Sequence, residues 1–290
     1  MKVQQIIGAD LSKKTIDVVC HLTKTHFKID NSLAGFKQML KWFKHQQINT
    51  CDILIVMEHT GLYSYMLEEF LHQHQIAFTK VNALAVKRSM GLVRGKSDKV
   101  DAARIAAYGF EKREKLSADA PVACELKRLQ MLNSTRERLV KQRAALTCAI
   151  KEYRHIGISD KDLIMKTQLQ LITNFDRQIE KLQMEIEKII ETTQQLKQNF
   201  YLLQSIKGVG KVVALTAIIK TQNFSRFTNA RKFACFCGTA PFEHTSGTSI
   251  KGRTRVSHLA DKQMKSLLDL SAKTARLGRF VPPPEHLRQR

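Results

Sequence analysis

VQQIIGADLSKKTIDVVCHLTKTHFKID, residues 3–30, is the stretch that decides the fold. Three short segments rich in β-branched residues lie within it: 3–10 (VQQIIGAD), 15–22 (TIDVVCHL) and 25–30 (THFKID), broken by LSKK and a brief turn. That pattern predicts an antiparallel meander. Residues 32–46 follow, with Leu33, Phe36, Leu40 and Phe43 at helical spacing behind Asn31 or Ser32 as a cap, which predicts an amphipathic helix. Residues 51–58 (CDILIVME) form a nearly continuous apolar run, as expected of a central strand covered on both faces.

Helical periodicity resumes over 62–74, residues 76–81 are another strand candidate, and 98–110 another helix. Strand, strand, strand, helix, strand, helix, strand, helix is the RNase H-like order. An α/β domain of that class is therefore expected over residues 1–118. From 124 to 200 the chain is charged and glutamine-rich, with Leu126, Leu129, Leu132, Leu139, Leu146 and Ile150 spaced three, four or seven apart. A break at 155–160 (HIGISD) precedes a second stretch carrying Leu171, Phe175, Ile179, Leu182, Ile186 and Ile189. Residues 119–200 are thus expected to be a coiled-coil hairpin, either a packed helical pair or a dimerisation arm. A mainly α domain is expected over 201–276, and an extended or disordered tail over 277–290, where RFVPPPEHLRQR has three successive prolines and no apolar period.

Lysine and arginine exceed aspartate and glutamate by 22 charges. Such an excess fits a polyanionic partner, and nucleic acid leads. No run of about 18 apolar residues appears and no signal peptide precedes the first charged positions, so no membrane partner is expected. A cytoplasmic, nucleoid-associated protein of a bacterium or archaeon is the expectation. The six cysteines include no C-x-x-C pair, which supports neither a zinc ribbon nor a disulfide framework. Cys235 and Cys237 would point the same way in a strand and could pair on a metal, although two ligands without a second pair are more often plain core.

Asp10 ends the first strand, Glu58 ends the central strand, and Asp98 and Asp101 stand three apart at a helix start, on one helical face. In the RNase H-like arrangement the first and fourth strands are neighbours, so the four carboxylates would converge. Like charges so placed repel unless divalent cations neutralise them, and oxygen-only ligands suit Mg²⁺ or Mn²⁺. Two such ions about 4 Å apart can carry out phosphoryl transfer. Asp98 and Asp101 alone would equally suit a helix N-terminus, whereas Asp10 after IIGA and Glu58 after ILIVM abut buried strands, where a carboxylate is costly without a role. Asp17 is expected to be an exposed edge residue, and His59 a structural histidine.

In SIKGVGKVVA, the glycines Gly208 and Gly210 bound a turn between two apolar helical segments, the pattern of a helix-hairpin-helix whose amides approach phosphate closely, flanked by Lys207 and Lys211. An ordinary helix-helix turn with solubilising lysines is the plainer alternative. Downstream, GTAPFEHTSGTSIKGRTRVSH (238–258) is dense in hydroxyls, glycines and cations and is expected to be a flexible polar loop. Ser246 lies there near Lys251, Arg253 and Arg255, which could clamp a phosphate while a hydroxyl attacks it. By chemistry alone Thr245, Ser246, Thr248 and Ser249 are nearly equivalent, and a loop that merely contacts phosphate is as plausible.

Taken in order, IGADLSKKTIDVV, MEHTGLY, GKSDKVDAARIA, GVGKVVA and GTAPFEHTSGTSIKGRTRVS resemble the DEDD transposases of the insertion-sequence-110 family, which includes Piv-like DNA invertases. The resemblance implies that Asp10, Glu58, Asp98 and Asp101 are the catalytic, metal-holding acids and that Ser246 is the nucleophile of the S-G motif. It also implies a bridge RNA specifying donor and target DNA, and composite sites assembled between protomers of a homodimer or homotetramer. After 273–275 the family usually continues through further helices, whereas this chain passes into RLGRFVPPPEHLRQR, a departure that would leave the serine domain less well packed. The expected function is excision and insertion of a mobile element by metal-dependent, serine-assisted strand exchange. A RuvC-like nuclease or junction resolvase, or a non-catalytic nucleic-acid-binding remnant, are the alternatives.

Overall fold

The computed structural model describes residues 5–59, 61–89, 91, 97–246 and 250–277, the side chains of 244–246 and 250–252 excepted. The chain divides into two compact units, Met1–Val122 and Ala123–Arg290.

The first unit runs β1 (Gln5–Leu11), β2 (Thr15–Cys20), β3 (His26–Asp30), α1 (Leu33–His45), β4 (Ile53–Glu58), a 3-10 turn (Gly61–Ser64), α2 (Tyr65–Gln73), β5 (Ala77–Val81), α3 (Ala83–Ser89) and α4 (Asp98–Glu111). Its sheet has the order β3-β2-β1-β4-β5. The tight turns after β1 and β2 return the chain antiparallel, whereas the crossovers through α1 and α2 lay β4 and β5 parallel to β1. This mixed five-stranded sheet with its helices is consistent with an RNase H-like domain. Ser32 caps α1 by accepting a hydrogen bond from the Gly35 amide.

Alternation along the strands builds two cores. Ile7, Ala9, Ile16, Val18, Ile55 and Met57 pack with Phe36, Phe43, Leu67 and Phe70 of α1 and α2. On the opposite face Ile6, Leu54 and Val56 meet Val86 of α3 and Ile105 of α4. Each such side chain, fully buried, is worth roughly 1.5–3 kcal/mol. Helix α4 lies almost on the sheet backbone: a methyl added at Gly8 would stand 2.2 Å from the Ala102 carbonyl oxygen and 2.4 Å from the Ala106 nitrogen. Absence of a side chain at Gly8 therefore sets how near the first turn of α4 comes to the ends of β1 and β4.

One expectation here is overturned. Asp17 is not an exposed edge residue: β2 lies between β1 and β3, and Asp17 is only 3% exposed. Helix α3, unforeseen in the sequence, adds Val86 to the core.

The second unit is mainly helical: α5 (Cys124–His155), α6 (Leu163–Thr192), α7 (Gln194–Gln204), α8 (Lys211–Thr221), α9 (Ala230–Cys237), the strands β6 (Pro241–Ser246) and β7 (Ile250–Val256), and α10 (Lys262–Arg276). The long helices α5 and α6 pack against each other, and the second opens on Asp162, whose carboxylate accepts from the Ile164 amide. At Thr193 the backbone turns extended, which ends α6 and starts α7.

Two further expectations change. Cys235 and Cys237 lie on helix α9, not on a strand, and two residues apart on a helix point about 200° away from each other. Cys237 is core, its thiol pushed up to about 11 by burial and then by the charge of Asp261. The segment read as a flexible loop contains an antiparallel hairpin, with Thr245 opposite Lys251 and Ser246 opposite Ile250 along the backbone. The alternating run IKGRTRV in the second arm suits a strand, and the glycines and cations of the region masked that period. Thr248 and Ser249, and the tail from residue 278, lie outside the described residues.

Candidate active site

Asp10 is the penultimate residue of β1 and Glu58 the last of β4. The two strands are parallel neighbours in which Ala9 stands opposite Met57, so the acids occupy the next position of the same register. Both share the face of Ile6, Gly8, Leu54 and Val56, the face that α4 covers. Ser97 caps α4 through the Val100 amide, leaving Asp98 and Asp101 in the first turn, where the helix dipole favours negative charge.

The electrostatics tie three of the four acids together. Burial, followed by the charges of Asp10 and Asp101, holds the Glu58 carboxyl above the usual carboxylate range. Asp98 is turned elsewhere: it is 64% exposed and 3.7 Å from the Lys28 ammonium. Asp101 is 2.7 Å from Arg104, one turn along the helix. Among the described residues no three His, Cys, Asp or Glu side chains stand close enough to hold a metal ion as they are placed. The donor set nevertheless fits a hard divalent cation: it is all carboxylate oxygen, and at Glu58 the negative charge is penalised by its neighbours. His59 is exposed, and its backbone amide donates to the Val81 carbonyl.

Asp17 was missed as part of this site. It pairs across the sheet with Asp10 on one side and Lys28 on the other, all on the α4 face. His26 Nε2 lies 2.7 Å from its Oδ1 and Lys28 Nζ 3.3 Å from its Oδ2. The period of HFKID, with residues 26 and 28 on one face, was the signal that could have found the group.

In the second unit, the turn between α7 and α8 brings Gly208 to φ +89, where its missing side chain lets the Ser271 carbonyl and Ala275 of α10 approach. Gly210 is the N-cap of α8 and a methyl there would meet nothing, so this amide end stays open. Lys207 is exposed; Lys211, also exposed, is 2.8 Å from Glu187 of α6. Arg253 and Arg255 on β7 are both exposed, and the register slips by one residue between Arg255, opposite Phe242, and Gly252, opposite His244, so a bulge separates the two arginines. Ser246 ends β6; its side chain and that of Lys251 fall outside the described residues.

The sequence profile of the DEDD transposases of the IS110 family matches residues 7–153, half of the chain and a range within which Asp10, Glu58, Asp98 and Asp101 fall. The chain belongs to that family. A second profile, described as the transposase IS116/IS110/IS902 family, matches residues 201–285, which contain the turn at Gly208, the β6–β7 hairpin and part of the terminal stretch. This transposase is also similar to the pilin gene-inverting proteins of Moraxella bovis and Moraxella lacunata, each 29% identical over 94% of this chain and 84% of its own length. It is accordingly a DNA transposase or recombinase, and DNA is its partner. Among the described residues no helix is long and apolar enough to cross a membrane.

Proposed function

We propose that this transposase excises and inserts a mobile element by serine-assisted DNA strand exchange at a divalent-cation site. The observation that carries the reading is the placement of Asp10 and Glu58 at one register position, at the ends of two adjacent parallel strands and on the face that α4 covers. Asp10, Glu58, Asp98 and Asp101 would hold Mg²⁺ or Mn²⁺, which when bound supplies charge neutralisation at the scissile phosphate. Ser246 is the nucleophile: its hydroxyl oxygen bonds to phosphorus, one ester oxygen leaves as the hydroxyl of the released strand, and the serine proton is passed to solvent or to that oxygen. Arg253, Arg255 and Lys251 offer charge to the phosphate, and Lys207, Gly208, Gly210 and Lys211 offer a sequence-independent backbone contact of the helix-hairpin-helix kind.

The proposal extends to the assembly. Four parts are assigned, 1–118 as the RuvC-like acidic domain, 119–200 as the coiled-coil hairpin, 201–276 as the serine domain and 277–290 as a divergent tail. The hairpin is the dimer or tetramer contact, supported by the apolar side chains that α6 leaves in solvent at Leu171 and Met184. A bridge RNA would select the DNA sites by base pairing, and the excess of 22 positive charges supports a polyanionic partner.

Covalent protein–DNA adducts, resolved on denaturing gels with element-end DNA and guide RNA, test the chemistry. Adducts should form with the wild-type chain, vanish in Ser246→Ala, and fall at least about 100-fold in Glu58→Gln, since even partners of metal ligands cost 10–100-fold. Persistence of adducts in Ser246→Ala removes the serine from its role. A second reading, hydrolysis by activated water, draws on the fact that three interacting acids lie within one compact unit. It requires cut ends that never become protein-linked.

A further inference from the structure

Asp17 is a carboxylate with only 5% of its side chain exposed, and it needs a reason. Both its oxygens are taken: Oδ1 by His26 and Oδ2 by Lys28. Lys28 is half exposed and does not end there, because the same ammonium reaches Asp98 at 3.7 Å. The lysine is thus moored to a buried acid while its charge is shared with one of the four acids of the site. Arg104 likewise shares its charge with Asp101, 2.7 Å away.

We propose that Lys28, moored by Asp17 and steadied in turn by the Asp17–His26 contact, is a positioning residue that serves as an internal countercation for Asp98 and must be exchanged when a divalent cation binds. The inference rests on the divalent-cation reading of Asp10, Glu58, Asp98 and Asp101. In the cation-free protein Lys28 offsets the charge of Asp98. With a divalent ion held by Asp98, the Lys28 ammonium would stay anchored through Asp17 and be available as a donor to a DNA phosphate. Cation uptake and DNA uptake would then support one another through a single side chain.

Mn²⁺ titration of the full-length chain without DNA, followed by electron paramagnetic resonance of free Mn²⁺, tests this. Lys28→Met keeps the aliphatic stem and removes the charge. It is expected to bind Mn²⁺ roughly three- to tenfold tighter than the wild-type chain, while Lys28→Arg stays within about twofold of it. A lysine serving only as counterion to Asp17 would lower thermal stability and leave the Mn²⁺ affinity alone. Should Lys28→Met lose the native circular dichroism spectrum, the double variant Asp17→Asn/Lys28→Met, which leaves no uncompensated buried carboxylate, carries the same expectation. Asp10→Asn supplies the reference. If wild-type Mn²⁺ binding depends on Asp10 but is unchanged or weaker in Lys28→Met and in the double variant, this proposal alone is overturned. If no Asp10-dependent binding exists, both it and the divalent-cation reading are overturned.

Discussion

At Gly8 the sheet carries α4 so closely that one added methyl would strike the Ala102 carbonyl, whereas at Arg253 and Arg255 the β6–β7 hairpin holds both side chains in solvent. The acids are placed by packing. Their strands end where the core ends, and the helix bearing Asp101 is seated by backbone contact. The hairpin arginines are placed only by an exposed strand that bulges between them, with Phe242 and Val256 beside them also exposed. Substitutions should therefore act through stability in the first region and through charge in the second.

The largest expected effect is at Gly8. Gly8→Ala should cost about 1–3 kcal/mol, because α4 must lift for the methyl to fit, and thermal melting of the full chain reads it. Gly210→Ala is the matched control, since its methyl meets nothing and the backbone there is extended. Equal melting temperatures for Gly8→Ala and the wild-type chain would show that α4 is not seated as the contact requires.

The second effect lies in the hairpin. Arg253→Ala and Arg255→Ala should each change stability by less than about 0.5 kcal/mol, both residues being exposed. Each that contacts phosphate should lower the slope of log affinity against log salt by about 0.9. Fluorescence anisotropy with one duplex over a salt series checks this. An unchanged slope in the double variant would remove both arginines from the DNA surface.

The same contrast governs what could be read from the sequence. The strands of the first unit were legible because each buries at least one face: IIGADL, TIDVVC and ILIVME carry their period openly, and the adjacency of β1 and β4 followed from the element order. Asp10 and Glu58 were legible as acids at the ends of such strands. Asp17 was not, because its burial depends on β3 pairing outside it, a property of the sheet and not of TIDVVC. Nor was the pairing of Asp98 with Lys28, which joins residues 70 positions apart on different elements. In the second unit the exposed hairpin buries little, so its sequence is dominated by hydroxyls, glycines and cations and resembles a loop. The glycines of SIKGVG could be picked out, but only the structure shows that Gly208 admits α10 while Gly210 faces open space.

The smallest effect concerns Glu58 in the cation-free protein. Its folded carboxyl is raised by burial, by Asp10 and by Asp101, so the neutral acid is favoured in the native state relative to the unfolded chain. Stability from this group is present below the unfolded carboxylate range and is lost as pH rises through the raised folded value. Glu58→Gln removes that loss. In chelator at about pH 8 the variant should melt about 1–3 °C above the wild-type chain, a modest gap because Glu58 is partly solvated, and the gap should close as the pH falls to about 4. Added Mn²⁺ should reverse the sign, since the ionised glutamate then gains a partner that glutamine cannot bind as well. A variant that melts below the wild-type chain at the higher pH without cation would mean that the ionised Glu58 already has compensating donors, and the acids would no longer need a cation to coexist.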